Sequence, residues 1–232
     1  MKKTPDNFFK VWNMRYYIDD EKITLEELKK RIKDTDLIPS RASLLDALDE
    51  NIIALKKAGI SSLADLRKAI KTKKSISLLA DKTKIDLQYL TLLRREIEGY
   101  FPKSLPLKAF KWLPKNECKK FEDKGLKNSV LIYEGLNSEK KRTDLSNELK
   151  IDIQFLNTLF NLVDLSRIQW VSPLFARMLA AAEYKNPESI VKANAEKLYD
   201  ELDRVNKANN FFKGKIGLRD TKRLIKAASY VS

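Results

Sequence analysis

The chain has 232 residues, of which 43% are apolar, and its 46 Lys/Arg exceed its 32 Asp/Glu by a formal net charge of +14. A globular apolar share with only six glycines and seven prolines predicts a folded all-α protein and argues against disorder or a turn-rich sheet. The chain has no histidine, one cysteine and no uncharged run longer than residues 153–163, which argues against a Cys/His metal site, an internal disulfide and a membrane span.

The positive charge is unevenly distributed along the chain. Residues 56–122 contain 17 Lys/Arg and 7 Asp/Glu, a net of +10, and residues 165–232 contain 13 and 7, a net of +6. Residues 1–55 and residues 123–164 each have a net charge of −1. Such asymmetry predicts a polyanionic partner. The alternative is that lysine is simply the common residue of solvated helix faces here.

Residues 1–40 are predicted to form an N-terminal helical extension. Phe8, Trp12 and Tyr16 recur every four residues and therefore share one helix face, which we interpret as packed core in preference to a partner-binding stripe. Thr24 with Glu27 is typical of a capping box at a helix start. We expect this extension to cover the first of the units that follow.

Internal repetition then dominates the sequence. Residues 59–98 align without a gap to residues 125–164, most clearly where KIDLQYL at 84–90 matches KIDIQFL at 150–156. A diverged third copy is indicated by FKWLP at 110–114 and IQWVS at 168–172, and it places Leu55, Phe121 and Leu179 at equivalent positions. We predict three helical units at residues 41–101, 105–164 and 165–232.

Local signals set the ends of many helices in these units. Gly59 and Gly125 follow apolar-periodic segments and are expected to be left-handed residues that end a helix. Asp86, Asp152 and Asp220 begin the last helix of each unit, where helix capping explains them without any catalytic role. The predicted helix starts also include Ser62, Asn128, Ser138 and Asn186-Pro187-Glu188.

Residues 164–179, DLSRIQWVSPLFARML, followed by Asn186-Pro187-Glu188, resemble a bacterial family of domains of unknown function that is related to helix-hairpin-helix proteins. That family is similar in fold to the C-terminal domain of the RNA polymerase alpha subunit and to SAM-like domains. The resemblance implies tandem helix-hairpin-helix-like (SAM-like) helical units. It also implies a bacterial protein. The single cysteine, Cys118, separately favours a reducing cytoplasm.

The hairpins of such proteins usually contain glycines, which let backbone N–H groups approach a phosphate. Here the corresponding pairs are Asp46 and Leu48, Trp112 and Pro114, and Trp170 and Ser172. Their side chains argue against DNA binding through the hairpin backbone. Phosphate contacts are therefore expected from lysine and arginine side chains.

Three clusters of basic residues are the candidate nucleic-acid-binding sites, and for each the alternative is a solvated helix face. The first surrounds the second hairpin and a helix start predicted near Pro114, and the second lies in a turn of the first unit. The third lies on the final helix. The candidates are Lys111, Lys115, Lys119 and Lys120; Lys71, Lys73 and Lys74; and Lys222, Arg223 and Lys226.

Three other side chains invite a functional interpretation. Trp112 and Trp170 could stack on bases, but their equivalence between units favours a shared core position. Cys118 has lysine neighbours that could lower its pKa, but its repeat equivalents are apolar and favour a small core residue. No nucleophile elbow, phosphate loop or dinucleotide motif is present.

The sequence favours a non-catalytic binding protein. The first hypothesis is nucleic-acid (DNA) binding without sequence specificity through basic helical faces. The alternative is a protein–protein interaction adaptor of tandem SAM-like units with no nucleic-acid role. We expect no cofactor, no metal and no membrane association.

Overall fold

The computed structural model describes residues 15–232, and within that range the chain is all-helical, with no strand. Two 3₁₀ helices, Pro39–Leu45 and Leu107–Ala109, accompany thirteen α-helices in these residues. The α-helices are α1 Leu25–Asp34, α2 Leu48–Lys57, α3 Leu63–Ala69, α4 Lys73–Thr83, α5 Leu87–Glu98, α6 Lys115–Asp123, α7 Ser129–Leu136, α8 Glu139–Leu149, α9 Ile153–Leu165, α10 Pro173–Ala181, α11 Pro187–Val191, α12 Ala195–Asn209 and α13 Leu218–Ala228. The all-α class predicted from composition is confirmed.

The buried apolar side chains form two clusters. The first is built from α1 to α5 and runs from Leu25 to Tyr100. Helix α1 belongs to it because Leu25, Leu28 and Ile32 are each at most 1% exposed and lie on one face. The N-terminal extension, as far as the structure describes it, therefore packs into the core of the helices that follow.

The second cluster extends from Leu107 to Val231 and joins the helices of the second and third predicted units. Helix α9 is central to it because it packs against α7, α8 and α10, while α13 packs against α11 and α12. Tyr16 also belongs to this cluster, at 1% exposure, and its hydroxyl hydrogen bonds with Ser129 at 2.8 Å. The packed role predicted for Tyr16 is confirmed, whereas Phe8 and Trp12 lie outside the described residues.

The helix order repeats between the two clusters. Helices α3, α4 and α5 begin 66 residues before α7, α8 and α9. The backbone contact that precedes each set is also the same, because the N–H of Leu63 donates to Ile23 O and the N–H of Ser129 donates to Leu105 O, both at 2.8 Å. The same backbone pattern is therefore built twice.

The predicted helix starts agree with the structure. The capping box of Thr24 and Glu27 is present, and Ser62, Asn128, Ser138, Asn186, Asp86 and Asp152 are all N-caps. The prediction for Asp220 is wrong in position, since α13 begins two residues earlier with Gly217 as its N-cap. Because glycine has no side chain, Asp220 reaches back and accepts the Gly217 N–H at 2.9 Å.

Left-handed backbone recurs at the equivalent helix ends. Gly59 and Gly125 have φ of 89° and 86°, as predicted. Glu183, which the alignment places at the same point of the third unit, has φ of 67°. A glutamate in this conformation carries steric strain that glycine avoids.

We expect Glu183→Gly to raise the free energy of unfolding by about 0.5–1 kcal/mol, because it relieves left-handed strain at an exposed helix end. Gly59→Ala is the matched control and should lower that free energy by about 1 kcal/mol. An added Cβ at Gly59 would have no atom within 4 Å, so only backbone strain would act. Urea unfolding followed by circular dichroism measures both, and a loss of stability in the glutamate variant contradicts the prediction.

No helix within residues 15–232 is long and apolar enough to cross a membrane.

Candidate nucleic-acid interface

The segment predicted as the second hairpin, residues 110–114, precedes α6 and has lysines beside it. Lys111, Lys115 and Lys119 are exposed and form no ion pair with any residue that the structure describes. Helix α6 begins at Lys115, and its N-cap, Pro114, provides no side-chain hydrogen bond. The positive end of the helix dipole and these three hairpin lysines thus occupy the same surface.

Lys120, predicted with this cluster, has contacts within the protein instead. Its Nζ donates to Lys150 O at 3.3 Å and lies 3.4 Å from Glu117 Oε2. It is half-buried and ties α6 to the end of α8. Lys120 is thus held by internal contacts that the three hairpin lysines lack.

The turn lysines of the first unit border a basic groove on α3, α4 and α5. Lys71, Lys73 and Lys74 are all exposed, and the first two line adjoining hollows that share Arg94 and Glu98. The structure adds three cations that sequence reasoning missed, Lys68, Arg94 and Arg95. We call the surface of Lys68, Lys71, Lys73, Arg94 and Arg95 the α3–α5 groove.

Local charge pairing leaves the α3–α5 groove cationic. Arg67, at its edge, pairs with Asp20 at 2.5 Å and with Glu98 at 3.4 Å. The five groove residues form no ion pair within the described part of the chain. The sequence contained a signal for Arg94 and Arg95, because Thr91, Arg94, Arg95 and Glu98 follow helical spacing on α5.

The basic residues of α13 contact other parts of the protein. Lys226 Nζ lies 3.0 Å from Asp34 Oδ2, and this hydrogen bond raises the pKa of Lys226. Arg219 Nη2 donates to Asp36 Oδ1 at 2.7 Å. Lys222 lies 3.9 Å from Glu196 Oε1. These ion pairs join α13 to the end of α1 and to α12, which gives Lys222 and Lys226 structural contacts.

Arg223 covers the aromatic ring of Trp170, with its guanidinium carbon 4.4 Å from the ring centroid. Trp170 is 51% exposed and has a left-handed backbone with φ of 70°. The core position predicted for Trp170 is therefore wrong, because Ile168 and Val171 fill the core at this hairpin.

Trp112 is half-buried. Its ring packs edge-on against Phe110 at 5.9 Å, and Arg177 lies 5.3 Å from its centroid. The two equivalent tryptophans therefore occupy different environments.

Cys118 is half-buried on α6. Burial raises the pKa of its thiol, and the charges of Glu122 and Glu117 add to that shift. The lowered pKa suggested by its lysine neighbours is wrong, because burial and the two carboxylates raise it. Its repeat equivalents, Ile52 and Ala176, are buried.

Within residues 15–232 the chain is all-helical, and two of its surfaces expose cations that form no ion pair with a described residue. The comparison with protein families is more specific. The family described as a domain of unknown function (DUF4332) matches residues 113–230, which are 118 of the 232 residues. The chain belongs to this family. The match contains residues 164–179, on which the resemblance was based.

No curated protein and no solved structure matches the chain.

Proposed function

We propose that this chain is a non-catalytic binding protein that holds the nucleic-acid backbone, DNA in particular, without sequence specificity. The observation that carries the proposal is the position of Lys111, Lys115 and Lys119, which are exposed at the uncapped start of α6 without a carboxylate partner in residues 15–232. Cations that are free of internal ion pairs can exchange their counterions for phosphates.

We further propose that the helices form tandem helix-hairpin-helix-like units. The shared 66-residue offset and the left-handed residues at 59, 125 and 183 support this reading. The hairpins have lost their usual glycines, so the backbone cannot approach a phosphate closely. Side chains take over that contact at the second hairpin, where lysines flank Trp112 and Pro114.

The α3–α5 groove supplies the second contact surface. Its five cations come from three helices and the turn between two of them, so folding is required to bring them together. Contacts of this kind bind phosphates and read no bases, which is the basis for expecting no sequence preference.

The test is a fluorescence-anisotropy titration of labelled single- and double-stranded DNA and RNA at about 50 mM and about 200 mM salt. The triple variant Lys111→Glu, Lys115→Glu, Lys119→Glu should bind more than about tenfold more weakly at the lower salt. Each lost contact should also reduce the slope of log affinity against log salt by about 0.9.

The matched control carries the same change of charge at cations that already have partners. Lys192, Lys197 and Lys207 pair with Glu188, Glu201 and Asp203, and their replacement by Glu should cost much less affinity. If both triple variants lose the same affinity, the loss comes from the change in net charge and not from contacts of Lys111, Lys115 and Lys119. No binding of the unmodified protein at the lower salt would overturn the proposal.

The second candidate function is a protein–protein interaction adaptor with no nucleic-acid role. It is favoured by three large apolar side chains that are 40–51% exposed beside one another, Trp170, Leu174 and Phe212. If the titration detects no nucleic-acid binding, the adaptor function becomes the favoured one.

A further inference from the structure

A cavity of about 350 Å³ opens between residues 169–172, α10, residues 211–216 and α13. Its floor is apolar and deeply buried, since Met178 and Leu224 are 1% and 4% exposed. Its rim consists of the half-exposed Trp170, Leu174 and Phe212. None of its lining residues belongs to the hairpin lysines or to the α3–α5 groove.

Most polar groups of this cavity are occupied by internal hydrogen bonds. The Asp220 carboxylate accepts the Gly217 N–H, and the Thr221 hydroxyl donates to Leu218 O at 2.8 Å. The Ser172 hydroxyl accepts the Phe175 N–H at 3.2 Å. These groups already have partners within the fold.

Two cationic side chains line the cavity without a direct ion pair. Lys215 and Arg223 form no ion pair with any described residue. The Nε of Arg223 is buried and has no hydrogen-bond partner in the described chain. A buried donor of this kind is costly unless a further acceptor reaches it. A hydrogen bond from Arg219 and, less strongly, the charge of Arg223 lower the pKa of Asp36, so Arg223 has a carboxylate nearby on the side away from the cavity floor. The cavity therefore combines an apolar floor with two cations that form no direct ion pair.

One rim residue also has a strained backbone. Trp170 is left-handed, with φ of 70°, which is unfavourable for a bulky residue. Its ring nevertheless lies half-exposed beside the Arg223 guanidinium. Strained residues that hold a side chain in place cluster at binding sites, because the surrounding fold must offset their cost.

We propose that this cavity binds a small carboxylate that carries an aromatic or aliphatic group. The apolar group lies on Met178 and Leu224, and the carboxylate faces Arg223 and Lys215. The volume is at the lower end of the range for ligand cavities, about 300–1,000 Å³, which fits a molecule of one or two rings. This site is independent of the nucleic-acid proposal.

The test compares three probes with the same apolar body, naphthoate, naphthamide and naphthylmethylamine, by calorimetry and by NMR of the Trp170 indole N–H in the full chain. Naphthoate should bind about tenfold more tightly than the neutral amide, and the amine should bind most weakly. A hydrogen bond to a charged group supports a difference of this size, since tenfold equals about 1.4 kcal/mol. The Trp170 signal should shift on titration.

Two variants test whether naphthoate binds in this cavity. Arg223→Met should remove the preference for naphthoate over naphthamide, whereas Arg204→Met, a change at an exposed arginine of α12, should not. Leu174→Glu puts a negative charge on the exposed rim and should weaken naphthoate binding about tenfold with the fold kept. Equal binding of the three probes, an unmoved Trp170 signal, or naphthoate binding unchanged in both cavity variants would overturn the proposal.

Discussion

We expect Arg167→Ala to lower the free energy of unfolding by about 3–5 kcal/mol, because it leaves a buried carboxylate without its cation. Arg167 and Asp164 are 9% and 8% exposed, and Arg167 Nη1 donates to Asp164 Oδ1 at 2.6 Å. The same guanidinium donates to Tyr133 Oη at 2.9 Å and to Tyr16 O at 3.1 Å. One side chain thus joins α9, α7 and the N-terminal residues, and urea unfolding measures its loss.

The loss should depend on pH. Burial raises the pKa of Asp164 above its ordinary value, and Arg167 opposes part of that rise. A carboxyl whose folded pKa is raised contributes less stability as pH rises from its unfolded value through its folded value. Removing Arg167 raises the folded pKa further, so the loss in Arg167→Ala should be smaller near pH 4 than at pH 7.

Two further variants separate the pair from its surroundings. Arg167→Met with Asp164→Leu removes both charges and should recover most of the stability that Arg167→Ala loses. Lys207→Ala breaks an exposed pair with Asp203 and should change stability by less than about 1 kcal/mol. A loss in Arg167→Ala no larger than in this surface variant would contradict the prediction.

We expect a similar large loss when leucine is truncated at equivalent positions of the two cores. Leu90 and Leu156 are 66 residues apart on α5 and α9, and both are fully buried. Leu90→Ala and Leu156→Ala should each lower the free energy of unfolding by about 2–5 kcal/mol, because each removes buried methyl groups and leaves a cavity. Urea unfolding followed by circular dichroism measures both.

The control for this pair is Leu78→Ala on α4, where the side chain is 61% exposed. This truncation removes little buried surface and should cost less than about 1 kcal/mol. If Leu156→Ala lowers the free energy of unfolding no more than Leu78→Ala does, Leu156 is not equivalent to Leu90 in its contribution to stability. A loss in only one of the two buried variants would show that the cores differ in packing quality.

Much of the helical framework could be predicted from the sequence because its signals are local. An N-cap such as Asn128 accepts a hydrogen bond from the N–H three residues later, so the interaction needs no distant partner. Gly59 and Gly125 end helices because glycine, which has no Cβ, adopts a left-handed backbone at little steric cost. Asp220 shows the limit of such signals, since a short polar side chain can cap from inside the helix as well as from its start.

The candidate site was predicted only in part. Lys111, Lys115 and Lys119 are exposed as expected, but Lys120 bonds to the backbone of Lys150. The choice between these outcomes depends on the position of Lys150, which the repeat alignment does not specify. The basic cluster around Arg94 could not be predicted, because its neighbours Lys68 and Lys71 come from another part of the chain.

The all-α class, the 66-residue repetition and the ends of most helices follow from local sequence signals, because hydrophobic periodicity and capping act within a few residues. Which charges are neutralised and which side chains are exposed depends on the folded structure. Arg219 meets Asp36 across 183 residues of sequence, and Trp170 lies at a cavity rim although its repeat position indicated core. Such outcomes depend on contacts between distant segments, whose positions are fixed only when the two cores pack.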